Sequence, residues 1–65
     1  MRILVNGALR DTAATDVAAA LEELGYGGST VATAVNGEFV PVSLRAASPL
    51  AEGDRLEVLA PMQGG

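Results

Sequence analysis

Cysteine, histidine and lysine are all missing from this chain of 65 residues. Without thiols it has no disulfide framework, no zinc–thiolate centre and no nucleophilic sulfur, and nothing marks an oxidising compartment. Without imidazole it lacks the usual general base and the commonest metal ligand. Without lysine there is no donor for Schiff-base chemistry, so basic character rests on Arg2, Arg10, Arg45 and Arg55, which are spread along the chain. Eight acidic residues leave a net charge of −4. Such a field repels nucleic-acid phosphate and anionic lipid and favours a basic protein partner. Long apolar runs are lacking too, which excludes a helical membrane span. The start, MRILVNG, turns polar at Asn6, too early for a signal-peptide core. These absences predict a cytoplasmic monomer, a single domain close to the smallest size that one apolar core can hold without staples.

What is present reads as one continuous fold, without repeats or linkers. Residues 1–5, MRILV, form a first strand. Asn6-Gly7 readily takes the positive φ values of a two-residue hairpin turn, so a second strand returns through Ala8 to Asp11. Thr15 offers a hydroxyl cap for a helix, and Asp16 a negative charge in its first turn. Val17, Ala20, Leu21 and Leu24 recur at i, i+3, i+4 and i+7, one apolar stripe over about three turns, with Glu22 and Glu23 on the wet side. Gly25 supplies the stop.

After the loop YGGST, residues 31–35, VATAV, run into a second hairpin turn at Asn36-Gly37. The returning strand, Glu38, Phe39 and Val40, ends where Pro41 removes a ladder donor. Residues 42–51 lack clean periodicity and read as a connection with one short helical turn. Gly53-Asp54 then turns the chain into RLEVLA, with Leu56, Val58 and Ala60 on one face and Arg55, Glu57 and Leu59 on the other. The order of elements predicts an α+β protein of the β-grasp type: a mixed four- to five-stranded sheet with one packed helix, the last strand beside the first and parallel to it. Residues 1–60 form this domain, and residues 61–65, PMQGG, a flexible C-terminal tail at the end of a central strand.

The body offers no pair or triad at catalytic spacing. GYGG at 25–28 follows a helix, whereas a phosphate-cradling glycine loop precedes one. Glu52 and Asp54 read as a turn, because two carboxylates without further oxygen donors make a poor cation cage. No metal and no bound cofactor are expected.

The tail is different. A terminal carboxylate titrates near pH ~3.5, so at neutral pH Gly65 ends in a stabilised anion that is a poor electrophile. An ATP-using partner could activate it as an acyl-adenylate, from which a sulfur donor could displace AMP to leave a thiocarboxylate. Gly64 and Gly65 have no Cβ and can thread a narrow channel. Five tail residues at about 3.4 Å each reach roughly 17 Å, enough to bury the carboxylate in a partner while the body stays outside. Met62 can wedge against varied surfaces, and Gln63 lies between it and the glycines.

VNGEFVP at 35–41, EGDRLEVL at 52–59 and the closing PMQGG together resemble the sulfur carrier proteins of thiamine biosynthesis, the ThiS family of small ubiquitin-like β-grasp proteins. The resemblance runs over essentially the whole chain. It implies that Gly65 is adenylated by an E1-like, ATP-dependent enzyme and converted to a thiocarboxylate, with sulfur drawn by a donor system ultimately from cysteine. The carrier would then give that sulfur to thiazole synthase, a (β/α)₈-barrel enzyme, acting as a co-substrate and not as an enzyme. Relatives often carry a basic residue directly after the proline of VP; here Val42 stands there and the arginine is delayed to Arg45.

Strand alternation that turns Ile3 and Val5 under the helix turns Leu4 outward, and Leu59 likewise, so these two leucines are candidates for a partner-binding patch on the open sheet face. Three other readings share the pattern: the small subunit of molybdopterin synthase, a sulfur carrier of another pathway, and a β-grasp interaction domain whose glycines do no chemistry.

Overall fold

The computed structural model describes residues 1–27 and 29–60. Strand β1 (Arg2–Val5) and strand β2 (Ala8–Asp11) form the first hairpin, helix α1 (Val17–Glu23) follows, and strands β3 (Ala32–Val35) and β4 (Glu38–Val40) form the second. A 3₁₀ helix (Val42–Ala47) leads to strand β5 (Arg55–Leu59). The sheet has five strands in the order β2-β1-β5-β3-β4. Strand β5 pairs parallel with β1 and antiparallel with β3. The mixed β-grasp sheet expected from the order of elements is therefore the one observed.

Both hairpins turn on an asparagine–glycine pair with two consecutive positive φ angles: 50° and 84° at Asn6 and Gly7, 50° and 86° at Asn36 and Gly37. That is the turn whose twist matches the flanking strands, and asparagine tolerates it better than other residues bearing a Cβ. One side of the sheet is covered by α1. Ile3, Val5, Leu56 and Val58 from the sheet pack with Val17, Ala20 and Leu21 from the helix, closed off by Ala14, Val31 and Leu50. Leu24, the last member of the apolar stripe, is half-buried against this cluster.

The helix begins one residue later than Thr15 would place it and is shorter than three turns. Asp16 is the cap: its backbone is extended and its Oδ1 accepts from the Ala19 N–H at 2.8 Å. Thr15 is occupied elsewhere. Its carbonyl accepts from the Leu50 N–H at 2.9 Å, the Val17 N–H donates to Ser48 at 3.0 Å, and Asp16 bridges Pro49. The connection after the 3₁₀ helix thus holds Asp16 extended, which delays the helix until Asp16 can cap it. The far end closes as the sequence indicates. With Gly25 at φ 89°, the Gly25 N–H donates to Glu22 and the Tyr26 N–H to Leu21, the paired bonds of a left-handed helix stop.

Arg45 does not project as a docking charge. It folds inward from the 3₁₀ helix, donating from Nε to Thr33 Oγ1 at 3.1 Å and from Nη2 to the Val31 carbonyl, while the Thr33 hydroxyl donates to Val40 at 2.7 Å. Thr33 is almost fully buried, and these bonds satisfy its hydroxyl. The arginine is thereby committed to holding the 3₁₀ helix against the second hairpin.

Glu23 is likewise more than part of a solvated acidic face. Its carboxylate accepts from the Thr12 hydroxyl and from the Ala13 N–H at 3.1 Å, tying the end of α1 to the segment that leaves β2. The Thr12 hydroxyl, then the Ala13 amide, and more weakly the chain's N-terminal ammonium hold its carboxyl below the ordinary carboxylate range. A carboxyl with a depressed folded-state pKa adds stability above its unfolded pKa, and that stability is lost as pH falls through the folded value. Glu23→Gln is therefore expected to lower the urea midpoint more at about pH 6 than at about pH 3, because the parent's own stabilisation declines as its carboxylate takes up a proton. Equal deficits at both pH values would show that the charge contributes nothing.

Candidate functional site

Strand alternation gives the sheet a second face that no element of the described residues covers. Arg2 and Leu4 of β1, Leu9 and Asp11 of β2, Arg55, Glu57 and Leu59 of β5, Ala32 and Ala34 of β3, and Phe39 of β4 point to it by register. Leu4 is half-buried and Leu59 is 68% exposed. They share the face but do not meet. Leu4 is in register with Arg55, so Leu59 lies four residues further along β5, roughly 13 Å away at about 3.3 Å per residue.

Each leucine has a different apolar neighbour. Leu4 sits opposite Leu9. Leu59 sits opposite Ala32, and Ala34 sits opposite Phe39, which is 69% exposed. Two alanines thus form a low floor between Phe39 and Leu59 next to the end of β5. Sequence reasoning passed over Phe39, although alternation with the inward-facing Val40 was enough to turn it outward. The charges on the face are modest. Arg2 Nε and Asp11 Oδ1 form an exposed ion pair at 3.2 Å, of a kind that contributes little to stability. A cleft of about 420 Å³ beside Leu4, Arg55 and Glu57 offers one charge of each sign and no nucleophile.

The acidic turn before β5 is occupied with the fold. Glu52 accepts from the Arg2 N–H at 3.0 Å, and Asp54 from the Ala51 N–H at 2.8 Å and from the Asn36 carboxamide at 3.1 Å. The Ala51 amide first and Asn36 second hold the Asp54 carboxyl below its usual range. Among the described residues, no group of three histidine, cysteine or acidic side chains is placed to hold a metal ion. No helix among them is long and apolar enough to cross a membrane.

The end of β5 is the structural feature nearest the expected tail. Strand β1 leaves the sheet at Asn6, in the turn to β2, whereas β5 continues to Leu59 with β3 still paired on its other side. The Asn6 side chain takes the place of the missing strand. Its Oδ1 accepts from the Val58 N–H at 2.8 Å and its Nδ2 donates to the Val58 carbonyl at 3.1 Å. Gly65, Gly64, Gln63 and Met62, the residues to which the sequence assigns the chemistry and its delivery, lie outside the described residues.

A model of the ThiS family matches residues 3–65. Among solved structures, the chain is similar to the thiamine biosynthesis protein ThiS from Geobacter metallireducens, at 28% identity and a TM-score of 0.84, with each chain covered over 100% of its length. No curated protein sequence matches the chain.

Proposed function

The chain belongs to the ThiS family, and from that membership we propose that it carries sulfur for thiamine biosynthesis on the terminal carboxylate of Gly65. The observation that supports this most is the reach of the family match, which runs through the second hairpin and β5 to the Gly64-Gly65 pair. The full-length likeness to a ThiS structure adds to it.

The chemistry follows from what the tail is and what the body lacks. Oxygen of the Gly65 carboxylate attacks the α-phosphorus of ATP held by an E1-like adenylating enzyme, and pyrophosphate leaves. A sulfide-equivalent nucleophile from the sulfur donor system then adds to the activated carbonyl, and AMP leaves with the oxygen that bonded phosphorus. The product is a thiocarboxylate, whose sulfur is a far better nucleophile than the original carboxylate oxygen. Thiazole synthase then takes that sulfur and returns the carrier. Throughout, the chain supplies the acyl group and its presentation and acts as a co-substrate, while ATP is bound and spent by the partner. Gly64 lets the last residues thread a narrow channel, with Gln63 and Met62 leading into it.

The body serves as a handle. Leu4 at one side, and Leu59 with Phe39 at the other, offer apolar contact on the open sheet face, and a net charge of −4 favours a basic rim around it. Intact-mass measurement after incubation with ATP, the adenylating enzyme and a sulfur source tests the proposal. A gain equal to the replacement of one oxygen by sulfur, located on Gly65 by fragmentation, is the expected result. An unchanged mass beside an enzyme that demonstrably forms adenylate with its own carrier overturns it.

A further inference from the structure

We propose that Asn6 is a positioning residue for the tail: its carboxamide fixes the point at which the chain leaves the sheet and so sets the length and heading of the segment that carries Gly65. This rests on the carrier function proposed above. The geometry is specific. Along β5, odd residues turn their backbone polar groups toward β3 and even residues toward β1, as the bonds from Asn36 to the Arg55 carbonyl and from Asn6 to the Leu56 carbonyl show. Val58 is the first even residue that β1 cannot reach, because the chain has already turned at Asn6 with φ 50°.

Left alone, the Val58 N–H and C=O would be open to solvent on that side, and the last two residues of β5 would hang from β3 only. The Asn6 carboxamide presents an acceptor and a donor at the spacing of a peptide group and makes both missing bonds, at 2.8 and 3.1 Å. Among the described residues it is the last tie that β5 makes on the β1 side. The left-handed turn is what allows this: with its backbone coiled back toward β2, the side chain points along the direction that the strand would have continued.

A second asparagine provides an internal comparison. Asn36 has the same φ of 50° in the other hairpin turn, and its Oδ1 accepts from the Arg55 N–H at 2.9 Å. It grips the beginning of β5, remote from the tail. The two side chains thus hold one strand at opposite ends, Asn6 by two bonds to Val58 and Asn36 by one to Arg55, and only Asn6 grips the end from which the chain runs on toward Gly65.

Glycine at either position keeps the positive φ and removes only the carboxamide, so Asn6→Gly and Asn36→Gly form a matched pair. With the adenylating enzyme and ATP, adenylate formation at saturating carrier is expected to fall at least about twofold in Asn6→Gly, from the longer free segment and its lost heading. The KM is expected to stay within about twofold, since the body still docks. Asn36→Gly should keep the parental turnover. Hydrogen exchange supplies the readout that does not depend on activity: protection of the Val58 amide is expected to drop about tenfold or more in Asn6→Gly and to hold in Asn36→Gly. Asn6→Asp, which keeps the acceptor and loses the donor, should fall between. Equal turnover in the two glycine variants, or unchanged Val58 exchange, overturns the inference while leaving the carrier reading in place. A parent chain that never forms adenylate overturns both.

Discussion

One alanine appended after Gly65 is expected to abolish thiocarboxylate formation while leaving the melting temperature unchanged. The added peptide bond turns the reacting carboxylate of Gly65 into an amide and moves the new terminal carboxylate about 3.4 Å outward, next to a Cβ that neither glycine carries. A misplacement of about 1 Å can already cost on the order of a hundredfold in a positioned reaction, so the loss should exceed that. Stability should not change, because the addition comes after β5 in the chain and alters none of the residues that build the core. Intact mass and a thermal melt on the same samples check both halves. Sulfuration of the extended chain at the parental rate would remove the basis for assigning the chemistry to Gly65. The rival interaction-domain reading makes the opposite forecast, since binding through the sheet face is indifferent to the terminus.

Leu56→Ala is expected to act on the fold with comparable force. Leu56 has no exposed surface and stands in the central strand, between β1 and β3 and beneath the helix. Truncation of a buried leucine to alanine costs about 2–5 kcal/mol through lost transfer energy and the cavity left behind. At about 0.05–0.15 kcal/mol per residue, a chain of this size has a total margin on the order of 3–10 kcal/mol. A single loss of about 3 kcal/mol therefore consumes a large share of it and lowers the melting temperature by roughly 12–24 °C. Leu59→Ala, in the same strand but on the open face, should stay within about 0.5 kcal/mol of the parent. Denaturant titration of the two variants checks the contrast; equal losses would mean that the two faces of β5 are not distinguished as the register requires.

Much of this architecture was legible from local pattern. Asn6-Gly7 and Asn36-Gly37 announced both hairpins, because few dipeptides take two positive φ values so cheaply. The alternation in RLEVLA separated the buried Leu56 and Val58 from the exposed Glu57 and Leu59. Errors arose where a residue's partner is distant in sequence. Thr15 was a plausible cap until the 48–50 segment claimed its neighbourhood, and cap propensity contains no information about that segment. Glu23 looked like any solvated charge because Thr12 and Ala13, its partners, lie on the far side of the helix in sequence.

The candidate site divides in the same way. Leu4 and Leu59 could be assigned to one face by parity alone, but their separation along the sheet depends on the β1–β5 register, which no local rule supplies. Phe39 was readable and was passed over. The task of Asn6 was not readable: its turn chemistry explained it fully, and nothing in NG says that the same side chain also completes a parallel strand pair 52 residues away.

Placing β5 in the middle of the sheet also governs when the molecule comes into being during synthesis. The two hairpins can close as they emerge, yet neither can bury an apolar face, and they have no common wall until the strand between them has been made. Assembly is therefore held back until nearly all of the body has left the ribosome, and it rests on contacts of high sequence separation, the kind that form slowly. A nascent chain that stalls before Arg55 offers no finished docking face, so a partner that reads the assembled sheet would engage only chains whose translation has already passed the root of the tail.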